Sequence, residues 1–519
     1  GARYWYYIKG LTFNSTTTYP VYGFHDGGQV TSVTSAIAFN NSGAHEVDQQ
    51  GLDMPVTYNP ANTKLRLECR NCFFSQLEFI LWPSIYRTTT RTVTIQPTGI
   101  SSTYTYSYDN AAPNTTDNSA AASYGNSALY TKTLREFRGH AMTQVVNPEG
   151  LATVNWFYQT DSLKGRAYDT LVMKRDFYDN LEGASSNWAN SGGTLTFTDI
   201  YQKHLDNAAQ LTNSAANWNV SFARTGATLA SGEVAVAHVR LSGANALGDV
   251  GLINGGQFLG INLQSNTATA SNGATLLTAG NFLKDEWYGV MIFPDAANGS
   301  RLRIWQLDNP ANFGETVVSG VGGGSWTFRD RVYNGTIWLD SYFEGVPYTE
   351  TITRYNSAVQ YDTIASNGIP DLAIAELLPF KDLQVAWNTV AWVEQRNYNG
   401  DAKFVGTKQV FTYVPASQYG NLLTQTDYEN NNGTLSAYRG TKYEYYPNPT
   451  TYVVALPARQ VTLDCTSGAC DFTNLTGKQA EAYYFYDGAT TYTALPTKGD
   501  LTRQRAWVQN DDYSQASFT

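Results

Sequence analysis

At 519 residues, with 15% charged side chains and a net charge of −10, the chain has no basic patch for nucleic acid or an anionic membrane. It also has no apolar run of about 18 residues that could cross a bilayer. Its 36 tyrosines outnumber the 34 lysines and arginines together, a composition that suits twisted strands and turns and argues against helices. At roughly 150 residues per domain, two to four domains are expected.

Residues 1–110 carry short alternating segments such as Leu65-Arg66-Leu67 and Arg91 to Ile95, broken by Asn, Gly and Pro. His25-Asp26 and His45-Glu46 are weak metal candidates that turn positions explain as well. Cys69 and Cys72 flank a short turn, as do Cys465 and Cys470 far downstream. Each pair is a candidate local disulfide, against a shared four-thiolate zinc site or free thiols. Disulfides would agree with a secreted or cell-surface protein. Sequons such as Asn14, Asn114, Asn298 and Asn474 carry no weight in a chain this rich in Asn, Ser and Thr. Asp109 to Ser127 reads as a mobile loop.

From Leu134 the wording becomes specific: Arg135-Glu136-Phe137-Arg138-Gly139-His140, Asn147-Pro148-Glu149-Gly150, Trp156-Phe157-Tyr158-Gln159, then Leu163-Lys164-Gly165-Arg166-Ala167-Tyr168. This order resembles the rearrangement-hotspot (Rhs, or YD-repeat) family, in particular the shell proteins of toxin complexes. His140 and Asn147 depart from the family's aromatic and Asp. Tyr419 to Tyr428, Leu456 to Arg459 and Tyr484 to Gly488 look like further YD repeats. The resemblance implies a β-strip curling into a hollow shell. Asn147 to Leu151 is read as a hairpin turn and not as the family's self-cleavage site.

Between these blocks lie short strands at Gly232 to Leu241, Glu286 to Phe293, Leu302 to Trp305 and Thr336 to Asp340, a spacing that implies a two-sheet sandwich. Their order looks like a laminin-G or concanavalin-like jelly roll inserted at residues 177–350, projecting from strip segments 1–176 and 351–519. Trp188, Trp218 and Trp326 are candidates to stack on a sugar, against a place in the core. Asp249, Asp308 and Glu315 are candidate calcium ligands, against solvated turn residues. A jelly-roll glycosidase would need paired carboxylates, for which Asp285-Glu286 and Asp340 with Glu344 are the nearest candidates; no catalytic residue is assigned.

Further on, Lys442 to Tyr446 and Thr491 to Thr493 put tyrosine and polar residues on both strand faces, as in a wall wetted on each side. The last hairpin, Tyr483 to Trp507, turns at Asp487-Gly488. The fold expected is therefore all-β, an antiparallel YD-repeat strip interrupted by a jelly-roll sandwich. The function expected is a non-enzymatic, exported scaffold or shell segment with a lectin-like recognition domain. Its partners would be the rest of a longer chain, a glycan or cell-surface ligand, and further copies of itself, with no nucleic acid and no membrane insertion. The alternatives are an adhesin or filament component without cargo, and a carbohydrate-active enzyme acting through the jelly roll.

Overall fold

The computed structural model describes strands within residues 4–78 and, with short breaks, residues 88–113, 137–361 and 385–517. The side chains of Cys69, Cys72, His25, Asp26, His45 and Glu46 lie outside the described residues. The chain divides into two compact units, Gly1–Thr88 and Thr89–Thr519. In the first, strand Tyr4–Phe13 pairs antiparallel with Glu46–Val47, Leu52–Met54 and Cys72–Glu78.

In the second unit, every described pairing between strands is antiparallel, and three layers can be traced. One sheet runs Trp188–Ser191, Ser221–Arg224, Thr327–Tyr333, Leu247–Asn254, Gln257–Leu263, Ala268–Ala270, Thr275–Leu277. A second sheet faces it: Thr194–Asp199, Asn207–Asn213, the start of Gly335–Tyr361, Val234–Ser242, Trp287–Phe293, Ser300–Gln306 and Phe313–Val318. Alternating residues Ala235, Ala237, Val239 and Leu241 of one sheet, and Val250, Leu252, Leu259 and Ile261 of the other, fill the space between them.

The third layer is a ribbon. It links Thr90–Ile95, Ile100–Pro113, Phe137–Val146, Leu151–Phe157 and Ala167–Asp179 to the far half of Gly335–Tyr361. From there it passes through Val385–Tyr398, Phe404–Tyr413, Leu422–Asn431 and Thr434–Tyr445 to Pro457–Asp464, Lys478–Tyr486, Leu501–Gln509 and Asp512–Ser517. The 27-residue strand Gly335–Tyr361 belongs to both layers. Its first residues lie between Asn207–Asn213 and Val234–Ser242, and its later ones between Ala167–Asp179 and Val385–Tyr398. A bulge between Leu339 and Ser341, opposite His238 and Val239, re-aims its side chains midway.

Trp287–Phe293 and Ser300–Gln306 are buried at every position, which only a middle layer can be. Tyr288, Val290, Ile292, Leu302 and Ile304 face the sandwich core. Trp287, Met291, Phe293 and Trp305 face the ribbon, against Trp156, Leu171, Met173 and Phe343. Close approach depends on Gly289, since a Cβ there would lie 2.2 Å from the Trp305 ring. The sandwich therefore does not project from the strip as expected. One of its faces is covered by it.

Beyond the sandwich, the ribbon is half-exposed on both faces, as the burial of Phe404–Tyr413, Leu422–Asn431 and Thr434–Tyr445 shows. Asn147 closes the hairpin between Phe137–Val146 and Leu151–Phe157, its Oδ1 accepting from the Glu149 and Leu151 amides. Ile100–Pro113 continues as strand into the segment expected as a loop, and residues 114–127 lie outside the described residues. Asp487 does more than turn the chain. At φ 56° it aims its carboxylate at the amides of Thr497, Lys498, Gly499 and Asp500, which together hold its pKa far below the usual carboxylate range.

Candidate functional site

The buried face between sandwich and ribbon is apolar at one end and ionic at the other. From the sandwich come Arg301, Arg303 and Glu315; from the ribbon come Asp169, Glu350, Arg354, Glu394 and Arg396, all buried or nearly so. Strand alternation aims them at one another: on Val385–Tyr398, Glu394, Arg396 and Tyr398 are buried while Gln395 and Asn397 are exposed.

Arg303 is the hub, its Nη2 donating to both Asp169 Oδ2 (3.2 Å) and Glu350 Oε1. Glu350 also accepts from the Tyr398 hydroxyl at 2.8 Å. Arg396 binds Glu315 (2.9 Å) and Glu394 (2.6 Å). Trp305 donates to the Tyr168 hydroxyl at 3.1 Å. These environments separate the two carboxyls that share Arg303. Burial, then the neighbouring Glu350, push Asp169 up to about 7, with Arg303 opposing. Burial also acts on Glu350, but Arg303 and Arg396 outweigh it and hold Glu350 below its ordinary value. One carboxyl is set to carry a proton near neutrality and its neighbour to stay ionised.

A cleft of about 430 Å³ opens at the sandwich edge, lined by Leu276, Thr278, Asn281, Asn309, Asn312 and Phe313 among others. Its geometry depends on Gly314, where a Cβ would lie 2.0 Å from the Leu276 carbonyl oxygen. Asn312 donates to Asn281 O (2.6 Å) and to Gln306 Oε1 (3.1 Å). Phe313 joins cleft and network: the Arg354 guanidinium lies 5.8 Å from its ring and donates to Tyr168 O at 3.0 Å.

At the apolar end, Trp156 Nε1 donates to His238 Nε2 (2.9 Å), and Ser341 Oγ lies 3.0 Å from His238 Nδ1. Burial depresses His238 to about 3. The unfolded imidazole binds a proton near 6.5 while the native one does not, so His238 lowers stability as pH falls through that range, by about 1.4 kcal/mol per unit. Asp169 acts in the opposite sense between its ordinary value and about 7, because there the native state holds the proton. The two offset each other between about pH 4 and 6.5 in the intact protein. Substitution His238→Gln should expose the imidazole contribution: relative to wild type, its urea-derived stability should rise by about 1.4 kcal/mol per unit as pH falls below 6.5. A difference that does not vary with pH would refute this.

The structure places the sequence candidates as follows. Trp188 is stacked on Phe222 in the sandwich core (4.9 Å, 11°) and donates to Asp179, and Trp326 is fully buried, so neither can stack on a ligand. Trp218, 37% exposed, packs against Tyr333 beneath the Arg331 guanidinium. Asp249, Asp308 and Glu315 do not meet: Asp249 is held by Arg331, Glu315 is in the interlayer network, and Asp308 is on the loop near Tyr168. No group of three or more His, Cys, Asp or Glu placed to hold a metal occurs among the described residues. Asp285 accepts from Ser242 (2.6 Å) and Arg240 (3.3 Å). Asp340 is buried, and Glu344 accepts from the Tyr342 hydroxyl (2.6 Å) and faces Arg224. Cys465 and Cys470 form a disulfide. The sequence reading missed Asp169, Arg303, Glu350 and Arg396. The available signal was charge at alternate positions of otherwise apolar strands in a chain poor in charge.

No family model and no curated protein matches the chain. Among solved structures it is similar to a glycosyl hydrolase family protein from Mycobacterium fortuitum (15% identity, TM-score 0.24, covering 33% of this chain and 99% of that one). It is likewise similar to an endo-β-1,4-glucuronan lyase from Trichoderma reesei (14%, 0.25, 33% and 95%) and a β-glucanase from Bacillus licheniformis (10%, 0.24, 33% and 97%). The two facing antiparallel sheets are a sandwich by their own pairings and shared core, and nothing in these comparisons supports the Rhs resemblance. They run against two expectations, the non-enzymatic shell segment and the absence of enzyme activity, since the similar structures are named as glycosyl hydrolases, a glucanase and a lyase.

Proposed function

We propose that the chain is a carbohydrate-active enzyme that cleaves a polysaccharide at the contact between its sandwich and its ribbon. The observation that carries this reading is the pair Asp169 and Glu350, two carboxyls on one guanidinium with opposite proton affinities, joined through Phe313 and Arg354 to an amide-lined cleft. Glycosidic cleavage asks for that division of labour: a protonated acid for the leaving oxygen and an ionised partner for the sugar cation. Two oxygens bound to the same Arg303 nitrogen are too close for the inverting separation of about 6.5–9.5 Å and suit the retaining one of about 5–5.5 Å. Asn281, Asn309 and Asn312 offer the amides that sugar hydroxyls bind. The pair is sealed as it stands, so turnover in this reading requires the loop at residues 307–312 to swing outward from the cleft. The Cys465–Cys470 disulfide supports an exported location.

The test is release of reducing or unsaturated ends from a panel of β-glucans, glucuronan and related polymers. Asp169→Asn and Glu350→Gln should each lower kcat by at least a hundredfold, with circular dichroism unchanged. No product from any polymer with the wild-type chain, or full activity in Asp169→Asn, would sink the reading.

A further inference from the structure

A second cleft, of about 300 Å³, lies on the ribbon, away from the residues that form the sandwich, and is lined by Gln418, Asn421, Tyr443, Tyr445, Tyr446 and Pro447 among others. Tyr443 and Tyr445, two residues apart on one strand, present near-parallel rings with centroids 6.5 Å apart and 30° between planes. Tyr446 meets Tyr492 edge-on at 6.0 Å. Two loops flank the cleft, and each carries a tyrosine in the left-handed region: Tyr419 at φ 77° and Tyr452 at φ 58°. A bulky side chain there is strained, and such strain gathers at ligand clamps. The two rings meet edge-on at 6.2 Å, Tyr452 being 75% exposed, and Asn421 Nδ2 ties the loops together by donating to Val454 O at 2.7 Å.

We infer that this cleft is a polysaccharide-binding site distinct from the sandwich, taking a neutral chain whose sugar rings lie flat on Tyr443 and Tyr445. Neutrality follows from the local ion pairs. Glu444 is matched by Arg459 at 2.9 Å, and Glu481 by Arg459 and by Lys478 at 3.0 Å, which leaves no charge to select an ionic ligand. Paired phenol rings supply apolar stacking area, and the Gln418 amide and tyrosine hydroxyls supply hydrogen bonds at the rim. The ligand class rests on the carbohydrate reading of the sandwich, but the site shares no residue with it. Its role would be to keep the enzyme on an insoluble substrate and so raise the effective concentration of chain ends at the sandwich.

The experiment is co-sedimentation of the whole chain with cellulose, chitin and an insoluble β-1,3-glucan, with turnover of soluble oligosaccharide measured in parallel. Wild type should pellet with at least one polymer. Tyr443→Ala with Tyr445→Ala should lose at least tenfold of that binding while soluble turnover stays as it was. Tyr443→Phe with Tyr445→Phe, which keeps the rings, should still bind, and this guards against loss through misfolding. Pelleting that depends on the tyrosines, in a chain that cleaves nothing, would leave this site standing and remove the sandwich reading. Three outcomes would overturn the site: no pelleting with any polymer, equal pelleting by the alanine variant, or displacement by a proline-rich peptide but not by soluble oligosaccharide.

Discussion

Substitution Arg303→Met is expected to destabilise the chain by about 3–5 kcal/mol, read as a lower urea midpoint, because Asp169 and Glu350 would lose the guanidinium that faces them both. Both carboxyls are almost wholly buried, so water cannot take its place. The contrast is the triple variant Arg303→Met, Asp169→Leu, Glu350→Leu. Replacing a whole buried charge cluster by apolar groups is often neutral or better, and here it should recover most of the loss. The Tyr398 hydroxyl, which donates to Glu350, would remain without its acceptor and limit that recovery. Activity should stay absent in the triple variant even where stability returns. A single variant as stable as wild type would show that the network is wet and that its ion pairs are weak.

Substitution Trp156→Ala should cost a similar amount, about 3–5 kcal/mol, by a different route. Trp156 is fully buried, meets Trp305 edge-on at 5.8 Å and Phe343 at 6.0 Å, and fills the apolar end of the interlayer. Alanine there leaves a cavity and removes the donor to His238 Nε2. Amide exchange should rise most in Leu151–Phe157 and in the strands it pairs with, Phe137–Val146 and Ala167–Asp179. Exchange rising uniformly across both sandwich sheets would instead mean that Trp156 does not act at the layer contact.

The strands of the sandwich were legible because period-two patterns such as Val234 to Leu241 survive in a single strand. The middle layer was not. Trp287–Phe293 reads as one apolar run, and nothing in that run says whether its second face meets ligand, solvent or another sheet. The candidate site was hidden for a related reason. Tyr168-Asp169 is one Tyr-Asp pair among several, and its meaning comes from Arg303 and Glu350, which reach it only through the stacking of two layers. Of the aromatic candidates, Trp188 and Trp326 obeyed burial, as large apolar side chains usually do. Tyr443 and Tyr445 were visible as wall material, but the left-handed Tyr419 and Tyr452 beside them depend on tertiary context.

The strand Gly335–Tyr361 also sets an order of assembly. Most ribbon strands pair with the next strand in the chain and can zip up locally, but Ala167–Asp179 must find Gly335–Tyr361 across the whole intervening sandwich. An unfolded loop of that length makes the encounter slow, and a folded sandwich shortens it by bringing Asn207–Asn213 and Val234–Ser242 against the same strand first. The sandwich is therefore expected to act as the folding nucleus that joins the two arms of the ribbon.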